Sequence, residues 1–134
     1  MISYNEIFEY IKKNSSVWNV EVEVDGFSTY ISITPLDWNL KPYERSYAIC
    51  NMCGTSIYNG SIVSLPVPRT YIYQDDLKRE HILLETDYEK YILNQEDLVN
   101  WNETCNKIFE SYKMEIRKVK SRNKMHDFES DFTL

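Results

Sequence analysis

The side chains best able to do chemistry are few in this sequence. Cys50-Asn51-Met52-Cys53-Gly54 places two thiols at a spacing that lets both reach one metal ion, with a glycine to relieve the turn that follows. A structural zinc site needs two more ligands, usually as a second close pair, and the remaining candidates His81, Cys105 and His126 stand singly and far apart. The same pair as a redox centre would have to open a helix whose dipole lowers the thiol pKa, whereas Gly54-Thr55-Ser56-Ile57-Tyr58-Asn59-Gly60 reads as a turn and a strand. The expectation is therefore no metal and no cofactor. A zinc- or small-ligand-binding role for Cys50 and Cys53 is kept as the alternative.

Acid–base and nucleophilic chemistry find little support. His81 sits beside the apolar run Ile82-Leu83-Leu84, the setting of a packed histidine, and His126 lies near the C-terminal end. Asp75-Asp76 and Glu96-Asp97 read as turn or helix-start acids. Three glycines supply no phosphate-cradling loop and no dinucleotide fingerprint. No catalytic residue is assigned, and a small enzyme with an unrecognised site is a second alternative.

Charge points elsewhere. A net charge of −6 opposes simple binding to a phosphate backbone. Between Lys113 and Lys124 six bases stand against one acid, which leaves the rest of the chain at −11. The stretch from Asp75 to Asp97 holds eight acids and three bases. Such a segment can steer a basic partner, and the basic cluster can meet it within its own chain or in a second copy. Eleven tyrosines exceed what one small core would hide, and tyrosine suits binding surfaces because it offers large area, few rotamers and a polar tip. A single alanine among many Asn, Ile and Tyr resembles the usage of AT-rich coding sequences, as in phage and low-GC bacterial accessory proteins.

The elements that must position these residues are partly readable. Ser3 and Glu6 form a capping box, with Ile2 and Ile7 at the staple positions, ahead of the stripe Tyr4, Ile7, Phe8 and Ile11. Trp18, Val20, Val22 and Val24 alternate with polar residues, Asp25-Gly26 supplies a two-residue turn, and Phe27, Thr29, Ile31 and Ile33 alternate after it. That predicts an antiparallel hairpin with Val24 facing Phe27, Val22 facing Thr29, Val20 facing Ile31 and Trp18 facing Ile33, its apolar face under the C-terminal helix. Arg45 to Cys50 suggests a third strand. Asn59-Gly60 signals a second hairpin between Gly54–Tyr58 and Ser61–Leu65, ended by Pro66 and Pro68, with another short strand at Thr70–Gln74. His81 to Leu84 reads as a short strand, followed by a helix capped by Thr86 and Glu89. Asn94 and Asp97 open a long helix with the stripe Leu98, Trp101, Cys105, Ile108, Phe109, Tyr112, Ile116 and Val119, ending near Ser121.

These elements predict an α+β fold, an antiparallel sheet built on an N-terminal helix and a β-hairpin and covered on one face by a long C-terminal helix. One domain spans residues 1–122, and 123–134 forms a mobile acidic tail. Free cysteines with no export signal indicate a cytoplasmic protein. The functional expectation is a small acidic protein–protein interaction module, of the inhibitor or immunity type, that blocks a basic partner such as a nucleic-acid-processing protein. Its partner-binding surface is drawn from Asp75, Asp76, Glu80, Glu85, Asp87 and Glu89, with Trp38, Tyr43, Tyr71 and Tyr73 as aromatic anchors. Membrane and nucleic-acid partners are not expected, whereas self-association is compatible with the charge pattern.

Overall fold

The computed structural model describes residues 2–15, 18–25, 28–35, 48–50, 52, 55–58 and 62–132. In chain order these form α1 (Tyr4–Asn14), β1 (Trp18–Asp25), β2 (Ser28–Pro35), β3 (Ala48–Cys50), β4 (Thr55–Tyr58), β5 (Val63–Gln74), β6 (Glu80–Ile92) and α2 (Gln95–Phe132). The arrangement is α+β, with α2 packed on β5 and β6. The strands form two three-stranded sheets, ordered β1-β2-β4 and β3-β6-β5, rather than one. Pairing is antiparallel throughout except that β3 runs parallel to β6. Among the described residues no helix is long and apolar enough to cross a membrane.

Helix α1 forms as its sequence dictates. The Ser3 hydroxyl accepts from the Glu6 N–H at 3.3 Å, and Ile7 and Ile11 are fully buried with Ile2, Tyr4 and Phe8 half-buried around them. The helix packs on β1. The β1–β2 hairpin exists, but its register differs from the expected one. Asp25 pairs with Ser28, so the connection is Gly26-Phe27, two residues outside the described set, and Val20 faces Ile33 while Val22 faces Ile31. Moving the turn by one residue advances every partner by two, which preserves the alternation and keeps the apolar sets on one face. That face is closed only in part. Trp18, Ile31, Ile33 and Ile57 are buried, but Val22 is 48% and Val24 71% exposed. The covering element along β1 is α1, and α2 reaches the sheet through Trp18, which stacks on Trp101 at 5.6 Å and meets Phe109 edge-on at 5.7 Å.

Three further expectations are corrected. Strands β4 and β5 do not form a hairpin across Asn59-Gly60, because β4 pairs with β2 and β5 with β6. The chain changes sheet there, and a turn dipeptide carries no information about which partner each flank will find. Nor do Pro66 and Pro68 end a strand; both lie inside β5. Proline is tolerated on an edge strand where its missing N–H would face away from the neighbour. The Pro66 carbonyl accepts from Trp101 Nε1 at 2.9 Å, which ties this stretch of the edge strand to α2. Finally, residues 86–92 are strand, not helix: β6 pairs with β5 over its whole length, with a register shift at Val67/Pro68 that leaves Asp87 unpaired. The capping-box pattern of Thr86 and Glu89 is overridden by this long antiparallel ladder.

Helix α2 opens with the Asp97 N–H donating to Asn94 Oδ1 at 2.9 Å, and of its predicted stripe buries Leu98, Trp101, Cys105, Phe109, Tyr112, Ile116 and Val119, with Ile108 half-buried beside them. It does not stop near Ser121. It continues to Phe132, so residues 123–132 of the expected tail are helical, and its 38 residues extend about 57 Å at 1.5 Å each. Buried Asn123 interrupts the apolar stripe, which is why periodicity fades about three turns before the helix ends.

Trp101 thus serves both sheets, stacking on one and hydrogen-bonding the other. Trp101→Phe leaves the buried Pro66 carbonyl without its indole donor and opens a small cavity. Thermal or urea unfolding should show a loss of about 2–4 kcal/mol.

Candidate functional site

The densest set of chemically capable side chains gathers where β5 turns into β6. Asp75 and Arg79 flank a three-residue loop closed by the Asp75 N–H on the Arg79 carbonyl and the Lys78 N–H on the Asp75 carbonyl, each at 2.9 Å. Asp75 Oδ1 also accepts from the Leu77 and Arg79 N–H groups, at 2.9 and 3.0 Å. Its other oxygen, Oδ2, accepts from His81 Nε2 at 2.8 Å, and since a carboxylate only accepts, that nitrogen carries the proton. The Asp75 pKa is held below its ordinary 3.8, chiefly by the His81 hydrogen bond and then by the Arg79 backbone bond.

His81 in turn stacks on Tyr73, its cross-strand neighbour, at 5.3 Å, and Tyr73 stacks on Tyr71 at 6.4 Å. Arg69, Tyr71 and Tyr73 of β5 share one face with Glu85, Leu83 and His81 of β6, opposite the face carrying buried Ile82 and Leu84. The result is a fixed ladder of rings on the solvent side, ending on the carboxylate that shapes the turn. Among the described residues His81 Nδ1 is buried without a hydrogen-bond partner. The work of the Asp75–His81 pair here is to orient the ring and lock the loop.

Three of the six expected partner-binding acids face a cation or an imidazole within the chain. Asp75 is taken by His81, Glu85 accepts from Arg69 Nε at 2.6 Å, and Glu80 pairs with Arg122. The basic cluster of α2 therefore does meet the acidic segment of its own chain, through Arg122. Asn123 adds a two-way bond to the Glu80 backbone, at 2.8 and 2.9 Å, and Asp127 pairs with Arg79 at 2.9 Å. Glu89 accepts from the Ser64 hydroxyl at 2.8 Å and, like Asp76 and Asp87, is exposed. Tyr71 and Tyr73 belong to the ladder, while Trp38 and Tyr43 lie outside the described residues. Sequence reasoning did not single out Arg69, Arg79, Asn123 or Asp127. Their roles arise from strand register and helix length, which no local spacing reveals.

Of the proposed thiol site, Cys53 and the Cys50 side chain lie outside the described residues, and among the described residues no group of three His, Cys, Asp or Glu converges on a metal position. Burial pushes the Cys105 thiol up to about 12, with the nearby Trp18 indole acting weakly in the opposite direction, so it stays protonated at neutral pH. Comparison with protein-family models, with curated proteins and with solved structures returned no match.

Two outcomes follow from the loop. Because the folded-state pKa of Asp75 is depressed, the stability it contributes is present above its unfolded value and is lost as pH falls through the lowered folded value. Asp75→Asn should flatten the acid limb of the stability curve below about pH 4, as read by urea titration at successive pH values. Lys78 sits at φ 61, a left-handed conformation that costs a non-glycine residue about 1 kcal/mol. Lys78→Gly should leave stability unchanged or raise it by up to about 1 kcal/mol, whereas Lys78→Val should lower it.

Proposed function

We propose that this protein is a protein-binding module that blocks a basic partner through the outer face of β5 and β6. The observation that supports this reading is the ordered stack of Tyr71, Tyr73 and His81, in which Tyr71 remains 53% exposed. An aromatic surface already held in one arrangement loses little conformational entropy on binding, which is the property of interface anchors. Tyr88 and Tyr91 of β6 are exposed as well, on opposite faces of the ribbon. Asp76, Asp87 and Glu89 supply negative charge that no internal ion pair neutralises among the described residues, and the overall charge of −6 adds to it. In this division the rings carry affinity and the acids set encounter rate and specificity. A basic nucleic-acid-processing protein would present a complementary surface.

The test is isolation of the partner by cross-linking in cells that naturally express the protein, followed by binding kinetics. Tyr71→Ala should weaken the purified complex by about 2 kcal/mol, roughly thirtyfold in Kd, mainly through a faster off-rate. The association rate should fall as salt rises. Combined Asp76→Asn, Asp87→Asn and Glu89→Gln should flatten that dependence, since none of these residues holds the loop together. A salt-independent rate and an unaffected Tyr71→Ala complex would refute the reading.

A further inference from the structure

Strand β5 is the outer strand of its sheet, and its two halves treat that edge differently. In the first half Pro66 has no N–H to offer and its carbonyl is capped by Trp101. Leu65 to Pro68 are all buried, so this stretch is covered. The second half can be oriented from its partner strand. Glu80 gives both its backbone N–H and its carbonyl to the Asn123 amide, so these groups point away from β5. Antiparallel pairing alternates, so Ile82 and Leu84 point the same way, toward β3, with which they pair in parallel. Their partners on β5, Gln74, Ile72 and Thr70, then direct their own N–H and C=O groups to the outer edge. Among the described residues nothing hydrogen-bonds to those groups. Pro68 falls in the same outward series, again without a donor. Natural sheets guard such edges with proline, charge or a covering element, and residues 70–74 have none of these on the strand itself.

We propose that this edge pairs with the same edge of a second copy, antiparallel about a two-fold axis at Ile72, joining two three-stranded sheets into one. The register follows from the residues. A two-fold axis normal to the sheet requires partners of the same face, so the axis must pass through a residue position. Centred on Ile72, it sets Thr70 opposite Gln74 of the second copy and uses all three outward residues, each pair exchanging two backbone hydrogen bonds. Centred on Tyr71, it would set Pro68 opposite Gln74 and lose a donor. The Ile72 register also places Tyr71 beside Tyr73 of the second copy as a non-hydrogen-bonded pair, the closer of the two pair types. The two Tyr71–Tyr73 stacks then merge into one aromatic cluster. Arg69 falls opposite Asp75, so each end of the seam joins unlike charges. Polar, aromatic and ionic positions are thus self-complementary along the whole edge. This inference goes beyond the partner reading and stands apart from it, because it concerns the purified chain alone.

Sedimentation of the purified full-length chain across concentrations up to about 1 mM, where even weak association is populated, reads the stoichiometry. A reversible dimer is expected. Gln74→Pro removes a donor that the monomer does not use and should weaken that dimer at least tenfold, with an unchanged melting profile at low concentration. Register is read separately by mixing Tyr71→Cys and Tyr73→Cys proteins under oxidised glutathione. The mixed pair should form an intermolecular disulfide faster than either variant alone and faster than the parent with its native cysteines. A chain that stays monomeric at every concentration overturns the proposal. So does a dimer indifferent to Gln74→Pro, or cross-linking that does not favour the mixed pair.

Discussion

Trp101 donates its indole N–H to the Pro66 carbonyl at 2.9 Å while its ring lies against Trp18 at 5.6 Å. These two contacts reach opposite sheets, β5 on one side and β1 on the other, from a single fully buried side chain. Direct pairing between the sheets is absent among the described strands, so the relation between them depends on what α1 and α2 place in the gap. Trp18, Trp101 and Phe109 fill it with rings in stacked and edge-on contact, which resists sliding better than aliphatic packing would. The hydrogen bond fixes where along β5 the helix sits. Twenty-two residues later the same helix presents Asn123 to the Glu80 backbone, on the other side of β6. Helix α2 is thereby held at two points across the sheet, and the β5–β6 loop is held with it.

What was legible in the sequence was local. The Ser3 N-cap, the alternation along β1 and β2, and the α2 stripe each depend on neighbours within a few positions, and each formed. The errors share the opposite character. Thr86 and Glu89 satisfy a helix-start pattern, but β5 supplies a partner for every residue of β6 except Asp87, and that ladder is a long-range event. Asn59-Gly60 marks a reversal without saying that its flanks enter different sheets. Pro66 and Pro68 look like terminators in sequence because the edge position of β5 that tolerates them is set by long-range strand order. Asn123 ended the apparent helix because its buried amide substitutes for a strand on β6, a use that hydrophobic periodicity cannot register.

The candidate site follows the same rule. Tyr71 and Tyr73 were legible as alternating aromatics, and Asp75 as a turn acid. Their connection through His81 was not, because it requires the pairing of Tyr73 with His81 across the hairpin. The turn and the ring stack are consequently one unit. Asp75 holds the loop with one oxygen and the imidazole with the other, so the carboxylate that closes the hairpin also aims the end of the aromatic ladder.

That economy changes the electrostatic argument. An acidic segment read from sequence suggests a field, yet Asp75, Glu80 and Glu85 each face a cation or an imidazole within the chain. Charge spent on internal pairs projects little beyond about one Debye length, ~8 Å at physiological ionic strength. What the surface retains is narrower: a rigid row of rings with a few unpaired carboxylates around it. On the proposed reading, such a surface would discriminate partners by shape first and by charge second. Arg69 therefore does more than stabilise the sheet, since by holding Glu85 it leaves tyrosine as the dominant feature of this face of β5 and β6.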